Sequence, residues 1–305
     1  MNARRILTSC VLLTMFCSAL SATEITVGSL NLEWFGHGFK PRTDDEITMM
    51  ANYIRSLEVD ILACQEILPQ GDTSNNGTSD WQDLLQELSQ DFQAWYGTTG
   101  SSQRLAYIWR TDRVQVTDLG ELSGIQREAV PNANSQTFPR IPLTAYVRSL
   151  DGGVDFRIIT VHLFWTTNAA RYAEASRLNT WCQNYLQGQN DQDVIIMGDC
   201  NTKRMGAGES GYSTTINNLV DNGVITCISD DHTEYTTPQS EERYDHAFLS
   251  PDFMDEYIEG SWDVRREIVD VYPNEYMRDI SNHVPVTLRI TDEDNDNTPS
   301  GDWGV

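Results

Sequence analysis

Basic residues are scarce in this chain of 305 residues, which carries 21 Lys and Arg against 45 Asp and Glu for a formal charge of −24. Polyanions meet net repulsion at such a surface, which argues against a passive nucleic-acid binder relying on a basic face. An enzyme acting on phosphate needs positive charge only inside its cleft, so catalysis on a polyanion stays open. Long apolar runs are also missing. A bilayer-spanning helix needs about 18 or more consecutive apolar residues, and the candidate from Ile6 to Leu20 is shorter and interrupted by Thr8, Ser9 and Thr14. Preceded by Arg4 and Arg5 and ending in Ala19-Leu20-Ser21, segment 1–21 reads instead as a signal peptide cleaved near Ser21. Leu7-Thr8-Ser9-Cys10 has most of the apolar run after the cysteine, where a lipoprotein box needs it before, so lipidation is discounted. The expected location is secreted or periplasmic, as a monomer without stable membrane association.

Cysteines are few, and those present have no zinc-ligand spacing. Cys10 and Cys17 leave with the signal, so Cys64, Cys182, Cys200 and Cys227 remain; an oxidising compartment permits two disulfides, but Cys64 and Cys200 stand in apolar runs that suit buried free thiols equally well. Internal repeats and a mid-chain linker are absent as well, so 22–290 is expected to fold as one domain. The polar, acidic end, 291–305, reads as a disordered tail. Its Asp292, Asp294 and Asp296 mimic the start of a calcium loop, yet Asn297 replaces the turn glycine and Trp303 the closing glutamate.

What is present is an alternation of strand and helix signals. Apolar residues Ile47, Met50, Ala51, Ile54 and Leu57 recur at helical spacing over 43–57, and 81–88 and 169–186 are further helices. Strands are expected over 25–30, 59–64, 105–109, 143–147, 156–161, 194–197, 247–249 and 284–290. Segments 71–80 and 121–137 are loop-like, and Asn76-Gly77-Thr78 is a glycosylation sequon. The pattern is α/β layering with more strands than helices.

Polar residues stand repeatedly at strand ends. Asn31, Glu66, His162, Asp199 and Asn201 follow apolar strands, while Asp245 and His283 precede them. Antiparallel neighbours bring strand starts and strand ends to one edge, so a mixed sheet or pair of sheets gathers all seven on a single rim. Oxygen donors without thiolates suit a hard cation such as Mg²⁺, which needs only one or two protein carboxylates. Hydrolysis of a phosphodiester further requires an activated water, positive charge on the non-bridging oxygens and help for the leaving oxygen.

The ordered series Asn31-Leu-Glu-Trp-Phe35, Gln65-Glu66, Phe138-Pro-Arg140, Val161-His162, Gly198-Asp-Cys-Asn201-Thr202, Tyr244-Asp245-His246 and Ser281-Asn-His283-Val-Pro-Val resembles the motifs of the endonuclease/exonuclease/phosphatase superfamily, in its deoxyribonuclease-like branch. The resemblance implies an α/β fold of the α+β type, a four-layer α/β/β/α sandwich of two packed mixed sheets. It implies Glu66 as main metal ligand, Asn31 as a neighbour that positions metal or phosphate, and Asn282 at the position of a metal-site carboxylate. It further implies Asp199 as the residue that aligns or deprotonates water, Asn201 as a phosphate donor, and Asp245 as the residue that orients His283. His283 would bind a non-bridging oxygen or act as base, His162 would protonate the leaving group, and Arg140 would contact phosphate. Mg²⁺ is the implied cofactor, with Mn²⁺ or Ca²⁺ as further candidates.

Two departures stand out. Asn282 replaces the Asp usual before the last histidine, and Gln103 occupies the place of the carboxylate that supports the first; both remove negative charge from the site. His37, His232 and His246 are read as surface or packing residues, and Trp34, Phe35, Phe164 and Trp165 as core, with Phe164 and Trp165 also placed to line a cleft. The reading is a phosphodiesterase acting on extracellular DNA or RNA. The alternatives are a phosphatase or phospholipase-type member acting on phosphoinositides or sphingomyelin, and a non-catalytic binding or toxin-like module.

Overall fold

A computed structural model describes residues 23–71, 77–130, 136–188, 192–202, 214–229 and 234–292. The signal segment, Asn76, His232 and all of the acidic tail beyond Asp292 lie outside the described residues. The strands are β1 (Glu24–Phe35), β2 (Ile61–Ile67), β3 (Phe92–Tyr96), β4 (Arg104–Arg110), β5 (Val114–Glu121), β6 (Leu143–Ser149), β7 (Asp155–His162), β8 (Val194–Asp199), β9 (Thr226–Cys227), β10 (Asp245–Leu249), β11 (Asp263–Val264) and β12 (Val286–Thr291). The helices are α1 (Asp44–Ser56), α2 (Asp80–Leu88), α3 (Asn168–Leu186), α4 (Thr214–Val220) and α5 (Pro273–Asp279).

Local chemistry sets these boundaries. Thr43 caps α1 by accepting the Glu46 N–H while the Glu46 carboxylate accepts the Thr43 N–H, a reciprocal box that satisfies two otherwise unpaired donors. Ser79 and Gln82 form the same box at α2, inside the stretch read from sequence as a loop. The last strand starts at Val286 rather than 284, because the Val284 N–H is taken by the Thr236 carbonyl and Pro285 has none to give. Strands β3 and β5 went unforeseen because their half-exposed edge pattern carries little apolar alternation. Helices α4 and α5 are too short for a periodic signal.

Two six-stranded mixed sheets face one another, in the orders β11-β12-β1-β2-β4-β3 and β5-β6-β7-β8-β10-β9. Each has one parallel pair near its middle, β1 with β2 and β7 with β8. Helices α1 and α2 cover the first sheet and α3 the second, giving the expected four-layer sandwich. Side-chain alternation then decides which residues reach the space between the sheets. On β7, Phe156 and Ile158 join the inter-sheet core while Ile159 and Val161 pack under α3. His162 shares the parity of Phe156 and Ile158 and so emerges on the inner side. Ile195 and Met197 place Asp199 there by the same count, and Ala247 and Leu249 place Asp245 there. His246, one residue out of phase, lies on the other face, where its ring bonds to Ser229 Oγ at 2.8 Å and Thr202 Oγ1 at 2.9 Å; it is a packing residue, as expected. The four cysteines are free and buried.

Parity fails for Glu66. Gln65 points inward, linking the sheets through Ser29 Oγ and Thr160 Oγ1, each 3.0 Å from its Nε2, so a regular strand would turn Glu66 outward. A register shift between Cys64 and Ile67 and a left-handed φ of 59° at Glu66 break the alternation at this residue. Non-glycine residues adopt that conformation rarely, and such strain concentrates at working sites.

Gly198 is the tightest fit in the second sheet. Its φ is +141°, and a Cβ there would lie 2.2 Å from the Val161 carbonyl oxygen. Gly198→Ala is expected to destabilise the protein by at least about 2 kcal/mol, through strain and separation of β7 from β8 next to Asp199. Urea unfolding measures this, and a midpoint equal to that of the parent would show that the strand ends have room to part.

Candidate active site

Asn31, at the inner end of β1, joins the two sheets. Its Nδ2 donates to Glu66 Oε1 at 3.2 Å and to Asp199 Oδ2 at 3.0 Å. Its Oδ1 accepts the Glu33 N–H at 2.9 Å, so the amide orientation is dictated by its neighbours: the oxygen meets a donor and the nitrogen meets carboxylates. Asn31 therefore positions the acids, and its oxygen is turned away from the metal or phosphate that the sequence reading gave it. Its backbone carbonyl accepts from Ser281 Oγ at 2.6 Å, and the same hydroxyl accepts the His283 N–H at 3.0 Å. One asparagine thus sets the positions of three site residues.

Glu66, His162 and Asp199 each bring a ligand atom within 4.8 Å of the others. His162 Nε2 lies 3.5 Å from Asp199 Oδ2 and 3.7 Å from Glu66 Oε1, longer than hydrogen bonds. Burial, reinforced by the Arg140 and His283 cations, holds the His162 pKa well below the usual imidazole value, so the ring is neutral and these contacts are not ion pairs. A neutral imidazole beside two carboxylates is a mixed nitrogen and oxygen donor set for a divalent cation. Asn282 adds to the fit: its Oδ1 is buried with no hydrogen-bond partner among the described residues, while its N–H is held by Glu33 Oε2 at 2.9 Å. Glu66, Asp199, His162 and Asn282 are the residues that would hold a cation.

Asp245 pairs in register with Asp199 across β10 and β8, and its Oδ2 lies 2.8 Å from His283 Nδ1. That contact leaves Nε2 directed at the cluster, 3.7 Å from Asp199 Oδ2. Burial alone would lower the His283 pKa, but the carboxylates of Asp245, Asp199 and Glu66 and the Asp245 hydrogen bond outweigh it and raise the pKa to about 9. Burial raises Asp199 above the usual carboxylate range, against the pull of the nearby His283. Asn201 adopts a left-handed φ of 49°, donates its N–H to Asp199 Oδ1 at 2.8 Å and its Nδ2 to the Leu163 carbonyl at 2.9 Å.

Arg140 does not point at a phosphate. It is buried and donates to the carbonyls of His162 at 3.0 Å and Leu163 at 3.2 Å, and to Gln103 Oε1 at 3.0 Å. Gln103 therefore supports Arg140 rather than His162, whose Nδ1 has no hydrogen-bond partner among the described residues. Sequence reasoning missed two further braces. Glu174 on α3 accepts the N–H of Phe138 and, at 2.7 Å, that of Phe164, and Arg171 donates to the Phe164 and Trp165 carbonyls at 3.1 and 3.4 Å. Burial lifts the Glu174 pKa to about 7 despite those two donors. The available signal was a pair of opposite charges on the stripe that Ala175, Leu178 and Cys182 mark as the buried face of the helix.

No family model and no curated protein sequence matches the chain. Solved structures do. An endonuclease/exonuclease/phosphatase family protein from Bacteroides thetaiotaomicron is similar at 18% identity over 89% of this chain and 98% of its own, with a TM-score of 0.63. A mannosyl-6-phosphatase from the same organism is similar at 18% identity over 87% of this chain and 98% of its own, TM-score 0.58. The human Nocturnin catalytic domain with bound sulfate is similar at 17% identity over 87% of this chain and 93% of its own, TM-score 0.57. These likenesses establish the endonuclease/exonuclease/phosphatase fold.

The His283 pairing makes a pH prediction for the metal-free protein. Below about 6.5, the value for an unperturbed histidine, both folded and unfolded chains carry the proton and the pairing stabilises fully. Between there and about 9 only the folded chain holds the proton, so stability falls as pH rises and this contribution is gone above that range. Asp245→Asn should move the imidazole titration, followed by NMR, toward neutrality and flatten the loss of urea stability across the same window. An unchanged midpoint would show that Asp245 does not set the charge of His283.

Proposed function

We propose that the protein is an exported, monomeric, divalent-metal-dependent phosphodiesterase whose substrate is nucleic acid, with Mg²⁺ as cofactor. The observation that carries this reading is the joined pair of sites at the rim: the Glu66, His162 and Asp199 cluster, and the Asp245–His283 pair that faces it. Glu66, His162 and Asp199 would hold the cation, which would supply positive charge to the phosphate. The remaining work falls to the chain itself. Asp199, where the cluster meets the Asp245–His283 pair, aligns the attacking water. Cationic His283, oriented by Asp245, donates from Nε2 to a non-bridging oxygen; of the two roles left open for it, its charge at neutral pH favours this one over that of base. Asn201 fixes the neighbouring turn, with its N–H on Asp199 and its side-chain amide on the Leu163 carbonyl.

A lipid substrate is the weaker reading. Leu122 and Val130, two of the three large apolar side chains in 121–130, are buried and Ile125 is half-buried, so this described stretch offers no apolar finger to a membrane. No helix among the described residues is long and apolar enough to cross one. The strongly acidic surface implies that contact with a polynucleotide depends on the metal and on cations inside the cleft.

Purified protein lacking residues 1–21 should cleave plasmid DNA or RNA with Mg²⁺ and not in chelator, while phosphoinositide, sphingomyelin and a hexose 6-phosphate stay intact. Glu66→Gln keeps the size and removes the charge, so turnover should fall at least about a hundredfold. Hydrolysis of the sugar phosphate or a lipid with no cleavage of nucleic acid would replace this reading, and full activity in chelator would end it.

A further inference from the structure

Two aromatic side chains that should be buried are in solvent, and both flank the metal cluster. Phe39 is 62% exposed and Trp165 is 63% exposed; of the two places the sequence left open for Trp165, core or cleft lining, the core is excluded. Exposing single apolar residues is ordinary, but the backbones of these two are fixed to the site. Left-handed residues Glu33 and Trp34 turn the chain at the end of β1, and the Trp34 N–H donates to Glu66 Oε2 at 3.2 Å. From that anchor Trp34, His37 and Phe39 form a ring cluster. Trp34 meets Phe39 at 5.1 Å and His37 at 5.6 Å between centroids, and His37 and Phe39 lie 4.0 Å apart. Trp165 follows His162 by three residues on the other sheet, and its carbonyl accepts from Arg171 while its indole stays in solvent. The first sheet therefore sends out Phe39 from the loop after β1, tied to Glu66 through Trp34, and the second sends out Trp165 from the loop that follows His162.

The geometry points to a stacking subsite on each side of the cluster, in which Phe39, backed by Trp34 and His37, and Trp165 receive the nucleobases flanking the scissile phosphate. The inference rests on the nuclease reading and adds its mode of recognition. Aromatic faces bind bases of any sequence, with losses on alanine substitution of about 1–3 kcal/mol per base. They also do so without positive charge, the one resource that a chain with 45 acidic and 21 basic residues lacks. Lys40 supports the same occupant: it lies next to Phe39, and its ammonium is paired with half-buried Glu33, the residue whose other contact is the Asn282 N–H. A cation beside a stacking ring fits a nucleotide, which couples a flat base to an anionic phosphate.

The test compares an oligonucleotide with an abasic strand of the same length and charge. Binding is read by fluorescence anisotropy on the Glu66→Gln protein, with the second substitution added, and kcat/KM is read on the active protein. The base-bearing strand should bind at least about fivefold more tightly than the abasic one. Phe39→Ala and Trp165→Ala should each bring the two strands toward equal affinity, and Phe39→Tyr should keep the preference. Equal affinity for both strands in the parent, an equal loss for both strands in the alanine variants, or a hexose 6-phosphate that competes where nucleotides do not, would overturn the stacking subsite. A base preference in binding with no cleavage of either strand would leave the subsite standing and remove the nuclease reading instead.

Discussion

A single side-chain amide holds the catalytic arrangement together. Glu66 belongs to the first sheet and Asp199 to the second, and two carboxylates so close repel one another unless something donates to both. Asn31 Nδ2 does so, at 3.2 and 3.0 Å. The same residue holds Ser281, and through it His283, by its backbone carbonyl. The other rim contacts depend on this junction: His162 owes its place to the parity of β7, Asp245 to its register with Asp199, and both matter only because the acids they face are fixed.

The rim also shows how an acidic protein prepares a place for anions. The chain carries a net charge of −24. Inside, Arg140 and Arg171 are spent on carbonyls of the 162–165 segment, with Glu174 between them accepting two backbone N–H groups. These ions act as braces in a dry interior, where unpaired backbone groups would be costly. Among the described residues, His283 is a cation aimed at the cluster, and its charge depends on Asp245.

Much of this was legible in the sequence because period-two alternation is local. Apolar runs located β1, β2, β4, β6, β7, β8 and β10, and strand-end positions identified Asn31, His162, Asp199, Asp245 and His283. What escaped depended on geometry that no short window contains. Glu66 was picked out, but the left-handed turn that breaks its parity was invisible, as were the directions of Arg140 and Gln103, because the carbonyls they meet lie on other strands. Glu174 and Arg171 look like ordinary solvated helix charges until the helix is laid on its sheet. Asn31 was picked out by its place after an apolar run, and only its neighbours show that its Nδ2 faces the two acids.

The strand order has a consequence for how the molecule comes into being. Among the described strands β1 is the first to leave the ribosome and its antiparallel neighbour β12 the last, with His283 just before it. Throughout synthesis one edge of β1 stays open, a state in which strand edges invite wrong pairings. Over the same interval the growing chain already holds Glu66, His162 and Asp199 but lacks the imidazole that faces them. A nascent chain of this topology therefore holds an incomplete rim until residue 283 has been made.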